Sequence, residues 1–571
     1  MDTKNLTGYP SIDKPWLKYY SEEAINAPLP ECTMYEYVWQ NNKGHLSDVA
    51  LRYYGSKITY GKLFDNIRTT ARAFYSVGVG AGDIVTIMSM HTPETIAAIY
   101  ALNYLGAAAN MVYMTLSEQE IVSTLQNTDS KMLLVLDAAL ERVAAVKSEI
   151  NIPIVVLSVA DSMPPHIKLG YALKSKPHKH SFLRYTDFLK RGESANPPSM
   201  ATDHAGLAVI VYTSGTTGEP KGVMLSNDCL NSLVLQCSLS GKNYRRGEIF
   251  LNILPPFIGF GIGMMHLGIY AGIESTLWLN LNPEIVVKKF AALKPNRFVI
   301  GPAFIDSILN LSRGNLKFLI ELTGGGGALS QDKEQELNQF LVQHGSKVKY
   351  TQGYGMTEFA SVVCMQQNHI YEAGSLGVPL PQANVKIADI ETGREQQYNE
   401  VGEVCFNAPN TMMGYFKNKE ATNQVFEIDL SGTQWLHTGD LGYVDSNGFV
   451  FFQDRIKRIY LNRDEYGTIY KLFPQRIEEL FQSQPFVRAC AVIAKADPDR
   501  LHVPIAFVEI KPETGLEKEK AEKEIVTLSQ RELPEHHRPV AIRILDVMPM
   551  TASGKIDYRA LEKQVEEMQP S

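Results

Sequence analysis

Cysteine is scarce in this chain of 571 residues: six in all, Cys32, Cys229, Cys237, Cys364, Cys405 and Cys490. None falls in a CxxC pair or at a Cys/His ligand spacing, which excludes a disulfide framework and a zinc ribbon or finger. Charge of one sign is also lacking. Lys and Arg number 55 against 62 Asp and Glu, for a net charge of -7 and only 20% charged residues. That balance excludes a disordered acidic or basic chain and leaves no footprint for nucleic acid. Long apolar runs are few. Thr95 to Ser117 carries no charged residue, but Asn103, Gly106, Asn110 and an alanine triplet make it a buried helix entering a strand, Ala107–Tyr113. Phe257–Ile273 is Gly-rich, interrupted by His266, and shorter than the ~20 residues a membrane span needs. The opening MDTKNLTGYPSIDKPW has no apolar h-region, so no secretion leader is expected. These absences together point to a soluble protein of a reduced, cytoplasmic compartment with no membrane span.

What is present is the makings of a large core. Hydrophobic residues are 44% of the chain, and at ~100–200 residues per domain the length asks for two or more domains. Apolar strand candidates (Ile84–Met88, Met132–Leu136, Ile154–Leu157, Leu207–Tyr212, Arg297–Ile300) alternate with amphipathic helix candidates (Thr59–Val77, Pro93–Leu105, Pro283–Leu293, Ser330–His344). The alternation predicts a mixed α/β architecture. Met163–Asp203, rich in Lys, His, Ser and Pro, reads as an extended loop or short insert. From about Gly393 short strands take over, Glu400–Asn407 and Asp440–Gln453, the second turning at Ser446-Asn447-Gly448. After Asp454 a second pattern begins: helix Pro474–Phe481, strands Val487–Ala494 and Ile505–Ile510, and helix Leu516–Glu532. The chain therefore divides into a large N-terminal part and a small C-terminal domain of ~115 residues.

The segment richest in chemistry runs from Tyr212 to Gly222: Thr213, Ser214, Gly215, Thr216, Thr217 and Gly218, then Glu-Pro and Lys221. It follows an apolar strand. Glycines let backbone N–H groups turn toward an anion, hydroxyls donate to phosphate oxygens, and Lys221 supplies positive charge. A phosphate-binding loop is the reading. It is not a Walker A loop, since Gly222 follows Lys221 and the glycine spacing differs.

This loop resembles the signature loop of the AMP-forming (adenylate-forming) superfamily, which includes acyl-CoA synthetases. Three further segments match in order. Gln352-Gly353-Tyr354-Gly355-Met356-Thr357-Glu358 resembles the family's Tyr-Gly-x-Thr-Glu motif. Trp435 to Gly442 resembles its Thr-Gly-Asp motif, with Asp454-Arg455-Ile456-Lys457 as the interdomain hinge. Pro549 to Lys555 resembles the C-terminal lysine motif. The resemblance runs from about Leu51 to Leu561. It implies a large N-terminal adenylate-forming domain of mixed sheets and helices (1–453), a hinge (454–457) and a small mobile α+β C-terminal domain (458–571).

The resemblance also implies roles. Tyr354 would stack on adenine, a use its aromatic face suits, and the alternative is a half-buried turn tyrosine. Thr357 would donate to the AMP phosphate. Glu358, with Thr213, would ligate Mg²⁺, which takes one or two carboxylates plus substrate phosphates. Asp440, following a Thr-Gly turn, would accept from the ribose hydroxyls; otherwise it caps its turn. Arg455 would contact ribose or phosphate, or else make a surface salt bridge. The run Leu322 to Ser330 resembles the family's Gly-Gly-Ala segment, so Gly326, Gly327 and Ala328 would lie against adenine and Gly325 against the acyl group. Ser330 would cap the helix that follows. Lys555 would touch the acid and the α-phosphate during adenylation, and Lys457 would be the hinge.

A carboxylate is a poor acyl donor, because its leaving group would be oxide. Attack on the ATP α-phosphate gives acyl-AMP and pyrophosphate, after which a thiol displaces AMP. Both steps need stabilised negative charge and no protein nucleophile. Phe257, Ile258, Gly259, Phe260 and Gly301 would line the acid pocket. So apolar a lining disfavours an ammonium and favours an aliphatic or aromatic acid. The expected co-substrates are ATP, with Mg²⁺, and coenzyme A. The segment Ile459–Pro474 is longer than the family pattern, so a carrier protein arriving in trans stays open as the acceptor. A non-catalytic nucleotide-binding relative is the remaining reading, against which Lys221, Glu358, Asp440, Arg455 and Lys555 all stand.

Overall fold

The computed structural model describes residues 6–174, 182–213, 220–311, 314–327, 329, 331–463, 468–551 and 555–568. Two large sheets carry the N-terminal part. An eight-stranded sheet is ordered Gly414–Tyr415, Gly222–Ser226, Leu207–Tyr212, Ala108–Met111, Ile84–Met88, Met132–Leu136, Ile154–Leu157 and Leu183–Arg184. A nine-stranded sheet has at its centre the parallel strands Tyr350–Tyr354, Glu321–Gly324, Arg297–Ile300, Ile249–Asn252 and Glu274–Leu277. Because these central strands are parallel, their C-terminal ends open on one rim, the rim where ligands enter open α/β sheets.

The helices between them start where local chemistry says they should. Thr59, Thr92 and Asn282 each accept a backbone N–H three residues on, and Pro93 and Pro283 occupy the first helical turn. The observed spans Tyr60–Ser76, Pro93–Tyr104 and Pro283–Leu293 follow the apolar period of the sequence. Pro93–Tyr104 is buried along nearly its whole length, in keeping with the absence of charge from Thr95 to Tyr104. Among the described residues, no helix is long and apolar enough to cross a membrane.

A third, five-stranded sheet joins Asn384–Ala388, Gly402–Asn407, Gln434–Val444 and Phe426–Ile428, with Val450–Arg455 hairpinned onto Gln434–Val444. The small C-terminal part has its own antiparallel strands, Val487–Asp497 and Leu501–Ile510, with Ala541–Leu545 added in parallel. Its core gathers Leu472, Ile477, Phe481, Val492, Val508 and Ile525.

One expectation is corrected. Met163–Asp203 is not an extended loop: it holds helix Pro165–Lys174, strand Leu183–Arg184 and helix Tyr185–Arg191. The strand extends the eight-stranded sheet, and fully buried Phe188 packs edge-on against Phe74. Its polar composition hid two buried aromatic anchors, Tyr185 and Phe188.

The rim opposite the strand C-termini is clamped by charge. Arg297 is buried, with Nε 2.6 Å from Glu248 Oε2 and Nη1 2.6 Å from Glu321 Oε2, while Lys242 also pairs with Glu321. Burial alone would raise the Glu321 pKa, but Lys242 and Arg297 hold it down to about 2. Arg297→Ala should cost about 3–5 kcal/mol, because it leaves buried carboxylates uncompensated. In the wild type, the depressed Glu321 contributes stability that is complete above its ordinary 4.5 and lost as pH falls toward about 2. Urea unfolding of both proteins across that acid range measures this, and the variant should keep only the part of the Glu321 component that Lys242 sustains.

Candidate active site

Four segments meet at the C-terminal rim. Strand Leu207–Tyr212 ends at Thr213, whose N–H donates to Lys221 O (3.0 Å) while Lys221 N–H donates to Thr213 Oγ1 (3.1 Å). These bonds pinch shut the neck of the Ser/Thr/Gly loop. Ser214, Gly215, Thr216, Thr217 and Gly218 lie outside the described residues, as do Ala328 and Ser330. Lys221 Nζ stands 4.7 Å over the ring of Tyr415, and the Tyr415 hydroxyl donates to Glu358 Oε1 at 2.7 Å. Glu358 is 4% exposed. Burial pushes its carboxyl up, opposed by Tyr415, Arg455 and Lys221.

Strand Tyr350–Tyr354 delivers the second motif. Gly355 follows where a Cβ would lie 1.8 Å from Ser361 O, so only glycine lets the chain fold back there. Thr357–Phe359 forms a single 3-10 turn, closed by Ala360 at φ +60°. Gln352 is buried, its N–H bound to Gln366 Oε1. The Tyr354 ring stacks 6.0 Å from Phe406, and its hydroxyl donates to Asp440 Oδ2 at 2.7 Å. Burial, then the Asp440 charge, drives the Tyr354 pKa well up.

Asp440 does not follow a turn. It sits inside the long strand Gln434–Val444, immediately after Gly439 at φ +72°, and its side chain is buried. Arg455 Nε stands 3.0 Å from Asp440 Oδ1, although the Arg455 side chain is half exposed. Lys555 completes the group from the far end of the chain. Its pKa is pushed down by burial and by Arg455, against the opposing fields of Asp440 and Glu358. Its backbone N–H donates to Thr551 Oγ1 at 3.2 Å.

The residues expected around the acid also converge. Helix Gly259–Tyr270 packs against the Thr357 turn so closely that a Gly259 Cβ would stand 2.9 Å from Thr357 Cα. A methyl on Gly325 would lie 3.2 Å from Gly353 O and 3.5 Å from Phe260 Cζ, and one on Gly301 would lie 3.9 Å from Gly325 O. Phe257 is buried against Tyr113, ring centroids 5.0 Å apart, and Ile258 is partly buried at the helix start. Gly326, at φ +82°, and Gly327 are exposed on the strand-to-helix connection ahead of Gln331–Gln343. Met356 leads into the Thr357 turn. Lys457 is exposed, in the short turn Ile456–Arg458.

Tyr415 escaped the reading of the sequence. It lies on a two-residue edge strand, Gly414–Tyr415, paired with Gly222–Ser226, and nothing local to it signals contact with Glu358. Tyr415→Phe should leave that buried carboxylate short of a donor and cost about 1–3 kcal/mol, read as a lowered midpoint in chemical denaturation.

Comparison with known proteins matches this geometry. The AMP-binding enzyme family matches residues 38–416, and the AMP-binding enzyme C-terminal domain matches residues 476–555. The long-chain-fatty-acid–CoA ligase of Bacillus subtilis is 27% identical, over 97% of this chain and 98% of its own. The 4-coumarate–CoA ligase 4 of Arabidopsis thaliana is 26% identical, over 90% of this chain and 87% of its own. The fold is shared with an anthranilate CoA ligase in complex with anthranoyl-AMP (TM-score 0.80, 22% identity, 94% and 98% covered). It is shared too with the o-succinylbenzoate coenzyme A synthetase of Bacillus subtilis in complex with ATP and magnesium (TM-score 0.75, 23% identity, 92% and 99% covered). With both family regions in order and the adenylate-forming architecture around them, the chain belongs to the family of AMP-binding enzymes.

Proposed function

We propose that this chain is an ATP-dependent acid–CoA ligase of the AMP-forming type. The carrying observation is that Lys555, from the C-terminal part, lies in the electrostatic field of Asp440 and Glu358 from the N-terminal part and of Arg455 from the proposed hinge. That is the arrangement adenylation needs. The carboxylate oxygen of an aliphatic or aromatic acid attacks the α-phosphorus of ATP, and pyrophosphate leaves. The thiol sulfur of coenzyme A then attacks the acyl carbon, and AMP leaves. Lys555 offsets the repulsion between the incoming carboxylate and the phosphate. The long-chain and 4-coumarate relatives are named for an aliphatic and an aromatic acid, the two classes that the lining of Phe257, Ile258 and Phe260 accommodates.

In this reading Asp440 receives the ribose hydroxyls, Tyr354 and the Gly325–Gly327 backbone flank adenine, and Thr357 with Lys221 serves the phosphates. The donor set suits Mg²⁺, since a buried carboxylate, Glu358, and a hydroxyl, Thr213, are both hard oxygen ligands on the phosphate side. When bound, the cation would neutralise phosphate charge. Residues 1–453 would form the acid- and AMP-binding domain, 454–457 the hinge and 458–571 the mobile domain. Six free cysteines suit a cytoplasmic location.

The acceptor side is coenzyme A rather than a carrier protein, in line with the CoA ligases this chain resembles. Of the cations near the longer segment, Arg458 is already spent. Its Nη2 lies 2.6 Å from Glu478 Oε1, and its guanidinium stacks 4.4 Å from the Tyr558 ring. Phosphate contacts would therefore fall to Arg463, Lys471, Arg476 or Lys495. Among the described residues of the longer segment, strand Tyr460–Arg463 pairs antiparallel with Ile469–Leu472.

Two variants separate the steps. Lys555→Ala should lose about 100-fold in acid-dependent pyrophosphate release yet still convert preformed acyl-AMP to acyl-CoA. Pyrophosphate release at the wild-type rate would remove Lys555 from the mechanism. Lys457→Pro fixes φ at the hinge and should spare adenylation while blocking thioester formation. Acyl-AMP that persists with coenzyme A but clears with a phosphopantetheinylated carrier would reassign the acceptor.

A further inference from the structure

The strand carrying Asp440 is kinked by a residue that the reaction scheme leaves idle. Between the pairs Glu403↔Leu441 and Cys405↔His437 the ladder slips, so that Thr438, Gly439 and Asp440 bulge out. A bulge re-aims the side chain that follows it. This one is stapled from the neighbouring strand Gly402–Asn407. Glu403 Oε1 accepts the Gly439 N–H at 2.9 Å, and Val404 O accepts the Thr438 hydroxyl at 2.7 Å. The Thr438 Oγ1 in turn accepts the Asp440 N–H at 3.1 Å. Glu403 is itself gripped: its Oε2 lies 2.8 Å from His437 Nδ1.

We propose that Glu403, held by His437, is the positioning residue that aims Asp440 at the nucleotide ribose, so that ATP affinity depends on a carboxylate that never touches ATP. The inference rests on the ribose role proposed for Asp440. It goes further by making the pairing of Glu403 with an imidazolium part of nucleotide binding.

The charges around His437 fix the sign of its pH dependence. Glu403 and Cys405 face it from one strand and Glu427 from another, with His437 Nε2 3.2 Å from Glu427 Oε2 and Cys405 Sγ 3.4 Å from Nδ1. Lys386, on the strand beyond Cys405, pairs with Glu427 rather than with the imidazole. The hydrogen bond to Glu403, ahead of the burial that opposes it, raises the His437 pKa above 6.5. The imidazolium is therefore kept through the range where a free histidine has lost its proton. It is given up only as pH rises through the raised value, and above that point Glu403 loses its partner. Wild-type KM for ATP should be flat at lower pH and rise on the alkaline side.

The test uses the full-length enzyme and acid-dependent pyrophosphate release, with kcat and KM for ATP measured across pH. Glu403→Gln keeps an amide oxygen for Gly439 but cannot pair with an imidazolium. Its KM for ATP should rise about tenfold near neutrality, the size of one lost charge-assisted hydrogen bond, with kcat far less changed and the alkaline rise flattened. Glu427→Gln, which touches no part of the bulge, should move the alkaline rise to lower pH. Wild-type KM and pH profile in Glu403→Gln would overturn the proposal. Should that variant not fold, an unmoved profile in Glu427→Gln overturns it instead. Asp440→Asn separates the layers. If it leaves KM for ATP unchanged, the ribose assignment and the inference fall together. If it raises KM while Glu403→Gln does not, only the positioning inference falls.

Discussion

The Asp440 carboxylate ties together the nine-stranded sheet, the five-stranded sheet and the strand that leads into the C-terminal part. One oxygen takes the hydroxyl of Tyr354, the last residue of strand Tyr350–Tyr354 in the nine-stranded sheet; the other faces Arg455, the last residue of the strand leading into the C-terminal part. The two links differ in strength for a physical reason. The Tyr354 bond is made to a buried charge and is worth about 1.5–3 kcal/mol. The Arg455 pair has one exposed partner, and such pairs contribute roughly 0–1 kcal/mol. The joint between the N-terminal sheets is thus firm, while the connection to the C-terminal part can be remade at little expense. The proposed turning of the small domain between two half-reactions needs that inequality.

Close backbone approach is the second constraint. The Thr357–Ser361 turn is pressed between two segments that tolerate no side chain. Gly355 lies over Ser361, and Gly259, at the start of helix Gly259–Tyr270, lies over Thr357. The proposed acid pocket and the phosphate-side carboxylate Glu358 are consequently fixed relative to one another by van der Waals contact rather than by a tether. Asn410 reinforces the same turn, its amide donating at 2.9 Å to both Phe359 O and Val362 O.

Much of this was legible in the sequence. Apolar runs of four to six residues marked Ile84–Met88, Met132–Leu136, Ile154–Leu157, Leu207–Tyr212 and Arg297–Ile300 to the residue, because such strands are buried on both faces and have no polar alternation to blur their ends. Glu274–Leu277, Glu321–Gly324 and Tyr350–Tyr354 carry too many polar residues to stand out. Thr59, Thr92 and Asn282 marked helix starts through ordinary capping chemistry. The four motifs named the elements of the site. What stayed hidden is what depends on register between distant segments. Helix Met34–Asn42 and helix Asn227–Leu239 are buried against other helices, and their mixed faces carry little helical period. Asp440 was read as following a turn because Thr-Gly-Asp is a turn sequence; the pairing with Gly402–Asn407 draws it into a strand and keeps only the bulge. Tyr415 and Glu403 act across strands, and no spacing within either segment reveals the partner.

The charge count at the site gives a reason for Lys555 to be carried on the part proposed to move. Lys221, Arg455 and Lys555 are three cations facing two buried carboxylates, Glu358 and Asp440, an excess of positive field that suits an anionic nucleotide. On the proposed chemistry the demand for that field changes with each step. During adenylation a carboxylate must approach a phosphate, and two anions meet. During thioester formation the acyl carbon is already activated and AMP leaves as a stable anion, so the extra cation is no longer needed where the acid entered. Burial already depresses the Lys555 pKa, so holding its charge in place permanently would cost desolvation in a step that gains nothing from it. On the proposed domain motion, Lys555 supplies the charge only while two anions share the site.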